Sequence, residues 1–342
     1  MSLQVRAVAD NDGLMWESFI NAHQDASFFH RWGWREVIAR AFGHDTHYQV
    51  AERDGQLIGV LPLVRVRSRL FGDALVSMPF GVYGGPLAID EPTRAALQRA
   101  ACDLADELGV DALELRHLHA HNPDWPTKQL YYTFRKDISD DHEANLTAIP
   151  RKQRAMVRKG IKAELQGVQD DGVDAFFAVY AESVRNLGTP VFPRRYFRLL
   201  REVFGDACDV LRIQHQGEDI AAVMSFWFRD QVLPFYGGSR PAARALAGND
   251  FMYWELMRRA ADRGARIFDF GRSKAGTGAF SFKKNWGFEP EQLHYEYHLV
   301  RAETMPEVNP NNPKYRLFID AWKRLPLPLA NLIGPRLSPY LG

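Results

Sequence analysis

The chain has 342 residues, 46% hydrophobic and 25% charged, which suits two globular domains with full cores. Its 43 Lys and Arg against 42 Asp and Glu leave a formal charge of +1, so any polyanion contact must be a local patch. Two cysteines, Cys102 and Cys208, supply no metal or disulfide framework and fit a reducing cytoplasm.

The opening MSLQVRAVADNDG lacks a charged and an apolar leader region, so no signal peptide is expected. No apolar run reaches the roughly 18 residues of a membrane span. Residues 14–42 read as helical, with LMWESFINAH and WREVIARAF carrying apolar residues at helix spacing. Between them, Ala26 to His30 predicts a short strand or turn. THYQVAERDGQLIGVLPLVRV then reads as a hairpin turning at Asp54-Gly55. Strand ALVSMPF leads into Gly81-Val82-Tyr83-Gly84-Gly85-Pro86, and a helix over 91–108 is stopped by Gly109. Strand DALELR closes this half.

The same order then returns. Residues 173–187 and 194–204 are predicted helices, and Asp209 to Phe228 is a hairpin turning at Gly217. Val232 to Gly238 echoes Phe80 to Gly85, a helix over 249–263 stops at Gly264, and strand RIFDFG follows. Phe42-Gly43 maps on Phe204-Gly205 at an offset of 162, as Gly55 does on Gly217, while Tyr83 to Tyr236 is 153 and Gly109 to Gly264 is 155. Two copies of one unit, with a deletion in the second, explain these offsets. The expected class is α/β (α+β): two tandem GNAT-like acyl-CoA N-acyltransferase domains related by an internal repeat. The expected division is 1–147, a basic connecting helix 148–168, 169–300, and a C-terminal extension 301–342.

The connector holds Arg151, Lys152, Arg154, Arg158, Lys159 and Lys162 within twelve residues, without one acid. On a helix Arg151, Arg154 and Arg158 share a face. Such a helix suits phosphates or an RNA acceptor arm. The alternative is a solvated connector paired with the acidic flanks, Asp137 to Glu143 and Asp170 to Asp174. In the second copy, a loop from Arg272 to Gly278 follows the strand, then FSFKKNWGF places Lys283 and Lys284 among aromatic rings. A flexible loop beside cations suits an anionic substrate or a developing oxyanion; the alternative is a surface lysine pair. Asp269 is either a base or an acid that fixes the loop by accepting backbone N–H bonds. His117, His119 and His121 alternate along RHLHAHNPDW, but no cysteine or carboxylate completes a metal set. No metal site is expected, and Trp32, Trp34 and Trp286 read as core or pocket walls. The tail LPLPLANLIGP is apolar and broken by prolines; it packs on its own domain or touches a membrane face peripherally.

Taken together, FFHRWGW, LPLVRVRSRLFG, SMPFGVYGGP, RKQRAMVRKGIK, LGTPVFPRRYF, DFGRS and FKKNWGF resemble the FemAB (FemABX) peptidyltransferases. The resemblance is narrower still to the FemAB-related proteins associated with the exosortase/PEP-CTERM system of Gram-negative bacteria. It implies transfer of an aminoacyl or acyl group to an amine of a cell-envelope precursor, related to peptidoglycan or exopolysaccharide. It implies no cofactor, with aminoacyl-tRNA or acyl-CoA as co-substrate. Phe282 and Lys283 match the family's Phe-Lys pair, with Lys283 stabilising the oxyanion or the tRNA terminus. Tyr83, Tyr236 and Tyr196 match acceptor-pocket tyrosines, and His30 matches an acceptor-pocket or packing histidine. Where the family has a phosphate-binding arginine this chain has Phe192; Arg194 and Arg195 lie nearby, and Arg272 joins these substrate contacts. Two rivals are an N-acyltransferase using acyl-CoA or acyl carrier protein, and a catalytically silent module that recognises a sugar nucleotide.

Overall fold

The computed structural model describes residues 3–68, 71–305 and 313–341. Contacts divide the chain into unit 1 (Met1–Tyr131, Gln292–Val308, Tyr340–Gly342) and unit 2 (Tyr132–Glu291, Asn309–Pro339).

Unit 1 opens with β1 (Leu3–Ala7), α1 (Gly13–Ala22) and α2 (Gly33–Phe42), with a 3-10 turn at Phe28–His30 between the helices. After β2 (Asp45–Thr46) comes the predicted hairpin, β3 (Gln49–Arg53) and β4 (Gln56–Leu61). Asp54 and Gly55 both take positive φ, 51° and 77°, the left-handed pair that a two-residue hairpin turn needs. Pro62, with no N–H to donate, ends that ladder. The chain passes to a second sheet as β5 (Leu63–Ser68) and β6 (Gly72–Ser77), then returns to the first as β7 (Leu87–Ala88). Helix α3 (Glu91–Leu108) starts where Asp90 accepts the Thr93 N–H at 2.9 Å and stops at Gly109, φ 56°. β8 (Ala112–His117) runs parallel to β6, and β9 (Thr127–Lys128) lies farther along the same sheet. The core gathers Leu61, Leu63, Leu75, Leu97, Leu113 and Leu115.

Unit 2 repeats the plan in one sheet. β10 (Tyr131–Asp137), α4 (His142–Ala148), α5 (Arg151–Lys162) and β11 (Gln166–Asp170) precede the helices α6 (Asp174–Leu187) and α7 (Arg194–Phe204). The hairpin β12 (Cys208–His215) and β13 (Glu218–Phe228) turns at Gln216 and Gly217, again both at positive φ. β14 (Gln231–Ser239), α8 (Ala242–Ala245), α9 (Gly248–Asp262) and β15 (Ile267–Asp269) follow. At the offset relating the two hairpin turns, Pro62 falls on Met224, where β13 does not break but bulges between Met224 and Ser225. β16 (Ser273–Lys274), α10 (Gly278–Asn285) and β17 (Pro290–Gln292) complete the unit's central part; β18 (His294–Leu299) then joins unit 1. Helices α11 (Pro313–Arg324) and α12 (Leu327–Leu337) pack on α6.

The units therefore part company elsewhere than at residues 147 and 300. β10 pairs antiparallel with β15 (Arg135 opposite Asp269), whereas β18 pairs antiparallel with β8 (Tyr297 opposite Glu114). Each of these strands thus pairs with a partner more than a hundred residues away along the chain. An alternating pattern marks a strand but not the sheet edge that receives it, so these boundaries were invisible to periodicity.

Candidate functional site

In unit 2 the parallel ladder between β14 and β15 lasts only two pairs, Gln231 with Ile267 and Val232 with Phe268. Pro234 then withholds an N–H, and the chain after β15 turns away at Gly271, φ 62°. The strands splay, leaving the edge of β14 beyond Pro234 unpaired by β15. The corresponding place in unit 1 is closed. Beyond three parallel pairs of β6 with β8, the Gly84 and Gly85 N–H groups donate to Arg116 O at 3.2 and 2.9 Å. Arg116 Nη1 in turn donates to Met78 O (3.3 Å) and Gly81 O (2.9 Å).

Lys283 sits at the foot of the unit 2 splay. Its Nζ donates to three carbonyls, Phe270 O at 2.6 Å, Gly271 O at 2.9 Å and Arg272 O at 3.1 Å. All three ammonium hydrogens are used in holding that loop. Burial pushes its pKa down to about 7, against the pull of Asp269, with Arg272 adding to the depression. The rings of Phe134 and Phe270 lie 5.5 and 6.0 Å from the ammonium. Lys284 is exposed, so the helix divides the pair into one inward and one solvated cation. Asp269 is 2% exposed, and its Oδ1 accepts the Gly271 N–H at 2.7 Å and the Thr133 hydroxyl at 3.3 Å. It holds the turn from the other side. Phe282 packs on Tyr253 (5.6 Å) and Trp286 (6.0 Å), with Trp286 fully buried as a core wall. The stretch expected to be loop from Arg272 to Gly278 contains β16, and Thr277 caps α10 by accepting the Phe280 N–H.

The basic connector is a helix, α5, docked on α9. Gly160 is essential to that contact, because a Cβ there would lie 2.6 Å from Phe251 Cβ. Gln153 Nε2 reaches Asp250 Oδ1 at 2.6 Å, and Trp286 Nε1 reaches the same oxygen at 3.0 Å. Pro150 abuts Gly287, just past α10, closely enough that a Cβ there would meet Pro150 Cδ at 3.0 Å. The start of α5 is thus strapped to the end of the Lys283 helix. Arg151, Lys152, Arg158, Lys159 and Lys162 are exposed and Arg154 is half-buried. Among the described residues none of the six has a carboxylate partner. Three of the flanking acids are committed elsewhere: Asp170 to Arg212 at 2.9 Å, Asp174 to Arg198 at 2.9 Å, and Asp141 to the Glu143 and Ala144 N–H groups capping α4.

Tyr196 and Tyr236 are brought together, their hydroxyls 2.8 Å apart and buried. Burial holds both phenols well above their ordinary range, so both stay neutral. Phe197, Tyr180 and Phe192 surround the pair. Arg194 and Arg195 are exposed at the start of α7; Arg194 lies 4.7 Å over the Phe177 ring and 3.6 Å from Asp174. Tyr83 and His30 belong to unit 1. Tyr83 is buried beside Phe29, in the segment that closes the first splay. His30 accepts the Ser27 N–H on Nδ1 at 3.1 Å, so Nε2 carries the proton it gives Gly85 O at 3.0 Å. Burial brings its pKa down to about 4. His117 lies 3.6 Å from Glu296, which also accepts the His121 N–H at 2.7 Å. Among the described residues no group of three His, Cys, Asp or Glu converges as a metal site. Asp250 and Gln153 went unread in the sequence; an acid in the first turn of the helix was the only signal.

Residues 148–284 match the model of the acetyltransferase (GNAT) domain family. Comparison with curated proteins finds no match. Among solved structures, FemX superposes with a TM-score of 0.66 at 14% identity, over 92% of this chain and all of that one. A tandem GNAT protein from the clavulanic acid biosynthesis pathway gives 0.57 at 13% identity, over 87% and 99%. A conserved protein from Bacteroides thetaiotaomicron gives 0.59 at 10% identity, over 87% and 100%. The chain has the tandem GNAT fold. In this tandem GNAT architecture the matched domain spans α5, the open splay and most of α10, including Lys283.

Proposed function

We propose that the chain is an N-acyltransferase whose transfer centre lies at the open splay of unit 2, with aminoacyl-tRNA as donor and an amine of a cell-envelope precursor as acceptor. The observation that carries this reading is α5: six cations with no carboxylate partner among the described residues, on a helix packed against the end of the Lys283 helix. Such a face gains affinity for a polyphosphate by releasing its counterions. In the transfer, the deprotonated amine attacks the ester carbonyl and forms the C–N bond. The tetrahedral oxyanion collapses, the C–O bond breaks, and the leaving hydroxyl takes up the proton lost by the amine. Lys283 supplies positive charge beside the splay and holds the Phe270–Arg272 turn; donating to the oxyanion requires it to exchange one carbonyl. Tyr196 and Tyr236 serve as a neutral polar wall, and Arg194, Arg195 and Arg272 as acceptor contacts. The motif resemblance supports an acceptor from the exopolysaccharide or peptidoglycan side of a cytoplasmic precursor pool, as in an exosortase-associated system.

A second reading is favoured by the GNAT acetyltransferase match itself: an acyl-CoA or acyl-carrier donor lying along the unpaired edge of β14. Gel retardation with a pool of aminoacylated tRNA, beside melting shifts with acetyl-CoA and longer acyl-CoAs, separates the two. Retardation that weakens when Arg151, Arg154 and Arg158 become Ala supports the first. A melting shift with acyl-CoA and no retardation by tRNA replaces it with the second.

A further inference from the structure

The C-terminal helices turn apolar side chains in two directions. Inward, Trp322, Ala330 and Gly334 are buried, and Gly334 lies so close to Val191 that a Cβ would meet its N at 2.9 Å. Ile319 sits over Gly188 in the same way, at 2.5 Å from the Cβ position. Outward, where a solvated helix carries polar groups, α11 exposes Leu317 (74%) and Phe318 (40%), and α12 exposes Leu329 (40%) and Leu332 (59%). Leu187, at the end of α6 on which α11 packs, is 68% exposed. Among the described residues of unit 2, these five are joined by only one other large exposed apolar side chain, Ile161.

Charge selects the partner. From Ala321 to Gly342 there is no acid, and Lys323, Arg324 and Arg336 are all exposed. The one acid on α11 is Asp320. Leucines on the outer face flanked by Lys and Arg are the pattern of a helix lying in a bilayer interface, its apolar side chains among the acyl chains and its cations at anionic headgroups. No described helix is long and apolar enough to cross a membrane. We propose that the outer face of α11 and α12 docks the protein peripherally on an anionic lipid bilayer.

The test is co-sedimentation of the full chain with vesicles of phosphatidylcholine alone or mixed with phosphatidylglycerol. Binding to the mixed vesicles is expected, falling at least about tenfold in Leu329→Asp/Leu332→Asp. Lys323→Glu/Arg324→Glu/Arg336→Glu should abolish the preference for the anionic lipid. Arg151→Ala/Lys152→Ala should leave vesicle binding in place. If the double aspartate variant fails to fold, Leu332→Ser, at the more exposed position, reports the same loss on a smaller scale. Absence of binding to mixed vesicles overturns the proposal. So does binding that the tail variants leave unchanged, or a self-associated species that the leucine variants dissolve while vesicle binding persists.

Discussion

Gln153 on the cationic helix and Trp286 at the end of the Lys283 helix donate to the same oxygen of Asp250, at 2.6 and 3.0 Å. Burial raises the Asp250 pKa, and these two donors oppose the shift. Asp250→Ala leaves a buried indole N–H and a part-buried amide unmet, so a loss of about 1–3 kcal/mol is expected. Asp250→Asn keeps an acceptor oxygen and should lose less. Urea unfolding of both variants decides whether the carboxylate or merely an acceptor is needed.

The dock of α5 on α9 depends on the missing side chain at Gly160. Gly160→Val forces its Cβ into Phe251 and should cost about 1–3 kcal/mol. Arg158→Ala on the same helix removes an exposed cation and should stay within about 0.5 kcal/mol of wild type. Chemical denaturation checks the stability of both. The salt dependence of polyanion binding should flatten in Arg158→Ala, since one fewer phosphate contact releases fewer counterions.

Tyr196 and Tyr236 form a buried hydroxyl pair. Tyr196→Phe removes the Tyr236 hydroxyl's partner and should cost about 1–3 kcal/mol. The Tyr196→Phe/Tyr236→Phe double variant should cost less than the sum of the singles, because the hydroxyl–hydroxyl bond is lost only once. A double-mutant cycle in urea measures the coupling. Additive losses would mean that the hydroxyls find other partners.

Lys283 titrates at about 7 in the fold and at 10.5 in an unhindered lysine. Between those values the unfolded chain holds a proton that the native chain has released, so rising pH favours the native state. Comparing wild type with Lys283→Met, which removes the titration, the difference in melting temperature should shift in favour of wild type as pH climbs through this window. A flat difference would place the lysine's pKa near its ordinary value.

His30 behaves as a buried neutral ring, with a pKa of about 4 against 6.5 for a free histidine. Below 6.5 the unfolded chain takes up a proton that the native chain refuses, so stability present above 6.5 is lost as pH falls toward 4. Melting temperatures across that range should drop for wild type. In His30→Gln the slope should be shallower, whatever the variant's absolute stability.

Much of the fold was legible because its signals are local. Asp54-Gly55 and Gln216-Gly217 set their hairpins through positive φ, and Gly109 ends α3 where the periodicity stops. Those contacts close within a few residues, so the chain carries them wherever it folds, and their repetition exposed the two copies. What tertiary structure decided is long-range: that Tyr131–Asp137 pairs in the second unit's sheet and His294–Leu299 in the first, each with a partner more than a hundred residues away. It also decided the electrostatics. Lys283 rather than Lys284 turns inward because helix rotation about the buried Trp286 selects it, and Asp170, Asp174 and Asp141 beside α5 are captured by Arg212, Arg198 and the α4 cap. A side chain's partners depend on which surfaces meet, and sequence spacing alone does not specify them.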